Sequence, residues 1–400
     1  MAALGAVLIE GPKTCGKTET ARQLAASEVR LDIDADARQA AAVDPTLVLE
    51  GATPRLIDEW QVRPAVWNHV RRAVDDRSVP GQFILTGSAV PPDDETRHSG
   101  AGRITRMQMR PMSLLETGHS DGTVSLADLL GGGAVRAAER DIDVRDLARL
   151  IAVGGWPAIQ HLDLEDALQA VRSYLDEIRR VDISRLGNSR RDPNRVGVLM
   201  RSLARNVSTY ASVATLARDT AGGDARLKRD TVSEYLDALR RLKVVEDQPP
   251  WAPHLRSSHV LRSESKRHFV CPSLAVAALR ASPATILRDP NYLGFLFESM
   301  VIRDLRVYAQ TSDAEILQYK DQDLEVDAIV RATDGRWAAL EIKLGQAQID
   351  LGARNLLKFA RRVDTTKCGE PSALAVITGT GYGYENDDGI KVIPIGTLGP

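Results

Sequence analysis

The run Gly11-Pro12-Lys13-Thr14-Cys15-Gly16-Lys17-Thr18 has the residue types and spacing that cradle phosphate, G-x-x-x-x-G-K-[ST]. Gly11 and Gly16 let the backbone curl until its N–H groups face an anion. Lys17 is placed to reach β- and γ-phosphates, and the Thr18 hydroxyl to hold Mg²⁺. The implied chemistry is ATP binding. Downstream, Arg55-Leu56-Ile57-Asp58-Glu59 is an apolar run ending in two carboxylates. Asp58 would hold Mg²⁺, directly or through water, and Glu59 would polarise the attacking water as general base. Thr86 or Ser88, at the end of the next apolar run, could sense the γ-phosphate by a hydrogen bond. The glycine-bearing loop from His98 to Arg103 suits an arginine finger, with Arg103 the first choice and Arg106 the second. Either could instead be a surface ion-pair residue. Arg103 acting on a neighbouring copy would require oligomerisation.

A second group with chemistry in it lies near the other end. Glu298 falls inside the apolar face of a helical stretch, where a carboxylate needs a partner or a metal. Asp327 sits in Leu324-Glu325-Val326-Asp327-Ala328-Ile329-Val330, and Glu341 and Lys343 sit in Trp337 to Leu344. Both stretches alternate as half-buried strands do. If Val326, Ala328 and Val330 share a face with Leu340, Ile342 and Leu344, Glu325 and Asp327 share the other with Glu341 and Lys343. Asp327 then stands opposite Glu341, which demands an odd-length loop centred on Asp334, or a bulge. Two carboxylates and a lysine converging beside Glu298 have the logic of a metal-dependent phosphodiesterase. Asp327, Glu341 and the Ile342 carbonyl could hold Mg²⁺, with Lys343 positioning water or stabilising the transition state. A salt-bridge cluster without catalysis is the alternative.

The elements that must position these groups can be read from periodicity. Val7-Leu8-Ile9 reads as a buried parallel strand, followed from Glu19 by a helix with Ala21, Leu24 and Ala25 on one side. Leu31 and Ile33 suggest a second strand, Arg55 to Asp58 a third, and Gln82 to Thr86 a fourth. Gly131-Gly132-Gly133 is a plausible joint. Helices are predicted over Val144 to Val153 and Asp163 to Arg180, as a small lid. Three more are predicted over Arg195 to Tyr210, Ser212 to Arg218 and Thr231 to Leu242, with a turn at Gly222-Gly223-Asp224. A hairpin of Val244 to Trp251 with Lys266 to Val270 would complete a winged helix. Its Thr231 helix would enter a DNA groove, with Arg226, Lys228, Arg229 and Lys243 on phosphates, unless the module only packs domains together. Leu293 to Tyr308 is the helix that carries Glu298.

Composition fits several soluble domains. The 400 residues are 43% hydrophobic and 26% charged. No apolar run approaches the ~20 residues of a membrane span. Cys15, Cys271 and Cys368 form no metal-spaced pair, and a reducing cytoplasm suits them. Net charge is −2, yet Glu177 to Val270 holds 19 Lys/Arg against 11 Asp/Glu. A basic middle within an acidic whole suggests an anionic partner such as DNA, or an arginine-rich solvated face.

The stretches Glu10 to Thr18, Leu56 to Gln61, Gln82 to Ser88 and His98 to Glu116 (with Arg110-Pro111-Met112-Ser113-Leu114) together resemble prokaryotic AAA-type ATPases paired with domain-of-unknown-function family 4143. The order Glu298, Asp327, Glu341, Lys343 resembles the PD-(D/E)xK nuclease fold. The resemblance implies an α/β chain in four parts. These are a P-loop AAA-type ATPase core over 1–130, a helical lid over 131–195, a winged helix over 196–270 and an α/β PD-(D/E)xK nuclease-like domain over 271–400. It implies an ATP- and Mg²⁺-dependent hydrolase acting on or regulated by DNA, or an ATP-driven switch whose nuclease-like domain is inactive.

Overall fold

The computed structural model describes residues 4–87, 99–183, 191–220, 227–253 and 264–400. Ser88, His98, the Gly222-Gly223-Asp224 turn and Arg226 lie outside them. The chain forms two compact units. So far as they are described, one comprises Met1–Pro111, Val181–Arg190 and Asp237–Val244, and the other Met112–Arg180, Arg191–Leu236 and Val245–Pro400. The expected boundary at residue 130 thus falls within the second unit. The lid, winged-helix and nuclease-like segments fall largely in that unit too.

The first unit is built on strands β1 (Ala6–Glu10), β2 (Ser27–Arg30), β3 (Arg55–Asp58), β4 (Phe83–Gly87) and β5 (Ile104–Gln108). They lie in the order β2-β3-β4-β1-β5, every pair parallel. Alternate residues feed two apolar layers. Leu8, Ile57, Phe83 and Leu85 pack with Trp67 and Val70 of helix α3 (Val66–Arg77). Val7, Ile9, Leu56 and Ile84 pack with Ala21 of helix α1 (Lys17–Arg22). Burial on both faces explains why these strands read as near-continuous apolar runs. Two expectations shift. Helix α1 is a short turn and a half that leaves Leu24 64% exposed, and the second strand lies before Leu31, leaving Ile33 62% exposed. Helix α2 (Ala35–Val43) follows, with the Asp34 carboxylate accepting from the Ala37 N–H.

The second unit begins with a short strand, β6 (Val124–Ser125), and helix α4 (Leu126–Leu130). Helices α5 (Val144–Val153) and α6 (Leu164–Glu177) come next; Asp143 and Asp163 cap them by accepting from first-turn N–H groups. In chain order follow α7 (Pro193–Arg205), α8 (Val213–Asp219), α9 (Arg229–Arg241) and the antiparallel pair β7 (Val245–Gln248) and β8 (Lys266–Phe269). Helix α7 stops at Arg205, five residues before the expected end, and the boundary between the units falls inside α9. Helices α10 (Ser273–Ala278), α11 (Pro283–Leu287) and α12 (Pro290–Tyr308) lead into a six-stranded sheet.

That sheet comprises β9 (Ala314–Asp321), β10 (Leu324–Ala332), β11 (Trp337–Lys343), β12 (Ala373–Thr378), β13 (Tyr384–Glu385) and β14 (Lys391–Pro394), in the order β13-β14-β12-β11-β10-β9. Helices α13 (Ile349–Arg362) and α14 (Thr365–Cys368) connect β11 to its parallel neighbour β12. Leu356 and Phe359 of α13 pack with Trp251, Trp337 and Val376. β15 (Leu398–Gly399) pairs with β6. In the β10–β11 hairpin Ala328 faces Leu340 and Arg331 faces Trp337, and the Ala332 N–H donates to the Arg336 carbonyl at 2.9 Å. The loop is therefore odd and centred on Asp334, and the register carried one pair further sets Asp327 opposite Glu341.

Candidate functional site

The nucleotide-site residues converge at the carboxyl ends of the first unit's strands, where open α/β sheets place ligands. The loop after β1 turns through Thr14 (φ 59) and Gly16 (φ 102) before entering α1. Gly11 is required by packing, since a Cβ there would lie 2.4 Å from the Met109 carbonyl oxygen. Lys17 Nζ donates to the carbonyls of Pro12 at 2.7 Å and Gly11 at 3.1 Å, holding the ammonium inside the loop. Burial pulls its pKa down, opposed by Cys15, Glu59 and Asp58. Cys15 is fully buried and its thiol is pushed up, inert packing rather than a nucleophile. Lys13 pairs with Asp182 at 2.5 Å.

Asp58 ends β3 on the same edge. Its Oδ1 accepts from the Thr18 hydroxyl at 2.7 Å and from the Thr86 hydroxyl. Glu59 follows in the left-handed region (φ 53), a strained backbone for a non-glycine residue and one that clusters at functional sites. Its carboxylate accepts from Gln61 Nε2, and burial raises its pKa against the pull of Lys17.

The C-terminal group assembles around a residue that sequence pattern gave only as the start of a hairpin strand. Lys266, at the start of β8, is 1% exposed. Its Nζ lies 2.7 Å from Glu325 Oε1, 2.9 Å from Glu298 Oε1 and 3.3 Å from Asp327 Oδ1. The other Asp327 oxygen takes the Ile342 N–H at 2.9 Å and Lys343 Nζ at 3.0 Å. Glu341 Oε2 meets Lys343 at 2.5 Å, and its Oε1 takes Asn355 Nδ2 at 2.7 Å. A register shift between Val326 and Ile329 on the β9 side aims Asp327 into the cluster. Behind it, Gln248 Nε2 donates to the Asp327 carbonyl at 2.8 Å, and Gln248 Oε1 meets the buried His268 ring at 3.0 Å.

Charge follows this geometry. Burial alone would strip Lys266 of its proton, but Glu298, Asp327 and Glu325 hold its pKa well above the ordinary value. Burial also pushes Glu298 up to about 7, opposed by Lys266. For Asp327, burial is outweighed by Lys266 and Lys343, and its pKa falls; Glu341, buried beside Asp327, rises.

Family models match three stretches of the chain. Residues 5–118 match the AAA domain family, residues 144–285 a domain of unknown function (DUF8612), and residues 293–398 a domain of unknown function (DUF4143). The chain thus carries an AAA-type ATPase domain with a P-loop, and a DUF4143 region towards its C-terminus. The uncharacterized proteins Mb2031c of Mycobacterium bovis and Rv2008c of Mycobacterium tuberculosis are each 26% identical to it over 347 residues, 84% of this chain and 70% of theirs. Among solved structures, it is similar to the Walker-type ATPase PabY2304 of Pyrococcus abyssi (13% identity, 69% of this chain and 91% of that one, TM-score 0.40). Another is the McrB AAA+ assembly of Thermococcus gammatolerans with bound McrC (12% identity, 50% and 70%, TM-score 0.19).

Within the ATPase, Gly11 to Thr18, Asp58 and Glu59 share one sheet edge, and in the DUF4143 region Glu298, Asp327, Glu341 and Lys343 share one cluster. Three expectations change. The Thr86 hydroxyl is fully buried and given to Asp58, so it positions that carboxylate instead of sensing phosphate. Arg103 precedes Ile104, which pairs with Ala6 at the amino end of β1, and its Nε pairs with Asp75 at 2.6 Å. It therefore lies at the sheet end opposite Lys17, and its own nucleotide site is out of its reach. Arg106, the second choice, is nearer; its guanidinium contacts Glu10 and stands 5.6 Å from the Trp67 ring centroid. Lys243 is tied to Glu10 at 2.9 Å and is not free for DNA, whereas Lys228 and Arg229 are exposed. Sequence reasoning missed Lys266 and Asn355.

Proposed function

We propose that the protein hydrolyses ATP with Mg²⁺ at the edge formed by β1, β3 and β4. The observation that carries this is the 2.7 Å contact between the Thr18 hydroxyl and Asp58, which brings the two expected magnesium-holding groups together beside Lys17 and Glu59. Thr18 and Asp58 fit a hard cation bound with the nucleotide, and that cation would neutralise phosphate charge. The chain's own residues supply the rest. Loop N–H groups and Lys17 hold the phosphates, and Thr86 fixes Asp58. Glu59, turned by its left-handed backbone, orients water and accepts its proton. The test is ATP turnover. It should require Mg²⁺ and vanish in Lys17→Ala; equal turnover in that variant refutes the assignment.

A second reading concerns the DUF4143 region. Its sheet and its Glu298, Asp327, Glu341, Lys343 cluster support a nuclease-like fold, and the α7–α8–α9–hairpin order supports a winged helix. Lys266 favours a region that does not cut. An ammonium fills the space among Glu298, Glu325 and Asp327, and Lys343 and Asn355 take the oxygens of Glu341. These residues do not fit a divalent cation, and no catalytic step runs through one here. The protein then acts as an ATP-driven switch, with nucleic acid contacting its basic middle. The check is Mn²⁺ titration without nucleotide. Wild type should show no Mn²⁺-dependent rise in Tm and no DNA cleavage, while Lys266→Met, which keeps the bulk and removes the charge, should gain the Tm response. Mn²⁺-dependent cleavage by wild type, lost in Glu341→Gln, would restore the nuclease.

A further inference from the structure

A cleft of about 430 Å³ opens in the second unit between α6, α7 and the end of α10. From α6 it takes Gln169, Arg172 and Asp176, whose spacing puts them on one helix face, and Arg179 lies one turn further. α7 adds Arg201, and Arg280 follows α10. Four guanidinium groups thus surround one carboxylate. Arg179 is paired with Asp176 at 2.7 Å, and Arg172 donates to Gln169 at 3.3 Å. Among the described residues the Arg201 and Arg280 side chains have no hydrogen-bond or ion-pair partner. The floor is kept low by Gly197, Ala277 and Ala278. Glycine inside a helix costs about 1 kcal/mol relative to alanine, and here it lies under the Arg179 guanidinium, 3.6 Å from where a Cβ would stand.

Like charges gathered in a concave surface repel one another and focus a positive field outward. Guanidinium is also the group that meets phosphate oxygens two at a time. A second cleft of about 560 Å³ shares Arg172 and adds Arg145 and Arg149, with the carboxylates Asp146 and Glu165 among them. Over the two clefts arginines still outnumber carboxylates, and positive charge spread over that length matches a polymer of phosphates better than one free anion.

We propose that this arginine-lined cleft is a binding site for the phosphodiester backbone of nucleic acid, with Arg201 and Arg280 as its principal contacts. The proposal rests on the reading that the protein contacts nucleic acid, and it places that contact on a surface that only Arg179 and Arg201 share with the basic middle.

The test is fluorescence anisotropy of the full-length protein with labelled single- and double-stranded oligonucleotides over a range of salt. Wild type is compared with Arg201→Glu/Arg280→Glu, with the milder Arg201→Ala/Arg280→Ala, and with Lys228→Glu/Arg229→Glu at the start of α9. The cleft variants lose no internal partner, so circular dichroism should match wild type. They should bind at least tenfold more weakly, with a log–log salt slope reduced by about 0.7–0.9 for each lost phosphate contact. The α9 variant should bind within about twofold of wild type, and tripolyphosphate should compete poorly. Wild-type affinity and slope in both cleft variants would overturn the site while leaving nucleic-acid binding intact. Loss confined to the α9 variant would do the same. Tripolyphosphate binding as tight as the oligonucleotide would make the ligand a free polyphosphate. Absence of binding to every oligonucleotide would overturn both the site and the reading beneath it.

Discussion

The hydroxyls of Thr18 and Thr86 both point at one oxygen of Asp58, and this shared acceptor holds the carboxylate between the first turn of α1 and the end of β4. Lys266, which precedes the DUF4143 region, does the reverse there, one donor gathering three of that region's carboxylates. An ammonium that is 1% exposed survives only because those charges surround it; breaking such a cluster by removing one partner commonly costs about 3–5 kcal/mol. Glu298 gives the cluster a pH signature. Its carboxyl is raised from 4.5 to about 7, chiefly by burial. The folded chain then keeps a proton that the unfolded chain releases, so this group's contribution to stability falls as pH rises from about 4.5 to about 7. Urea unfolding across that window should show the decline in wild type and a flatter profile in Glu298→Gln. The same decline in the variant would remove Glu298 as its source.

At the scale of elements, register decides what sequence pattern can and cannot show. The alternation of β10 and β11 was enough to set Asp327 opposite Glu341 and to demand an odd loop at Asp334, because a one-residue slip would have sent Val326 and Ile342 to the wrong face. The phosphate loop was legible because its residues are contiguous. That Arg103 lies away from its own nucleotide site was not legible, because a sequence does not say which end of a parallel sheet a flanking loop reaches. Lys266 was invisible for a related reason. It lies 32 residues before Glu298 and 61 before Asp327, and only the fold brings them together. Another long-range contact sets the turn after α5. A Cβ on Gly155 would fall 1.9 Å from the Met112 carbonyl oxygen, a backbone atom with no rotamer to give. Gly155→Ala should therefore cost about 2–3 kcal/mol in denaturant unfolding, the range of an overpacked core. A loss below about 0.5 kcal/mol would mean that this contact is not tight.

Over the whole molecule, two units carry two kinds of charge chemistry. In the ATPase unit polar groups stand at the ends of parallel strands around a loop suited to phosphate. In the other unit the comparable cluster is closed on itself by lysines, and the exposed positive charge lies instead among α6, α7 and α10. Among the described residues no helix is long and apolar enough to cross a membrane. Energy is expected to enter at the first unit through ATP, which ATP turnover with Mg²⁺ checks. The central claim is hydrolysis at the Asp58–Glu59 edge, and the most direct measurement separates binding from turnover in Glu59→Gln. The account predicts that this variant binds a fluorescent ATP analogue as tightly as wild type while Mg²⁺-dependent turnover falls by about 100-fold or more, the scale of a lost general base. Turnover within about twofold of wild type would contradict it.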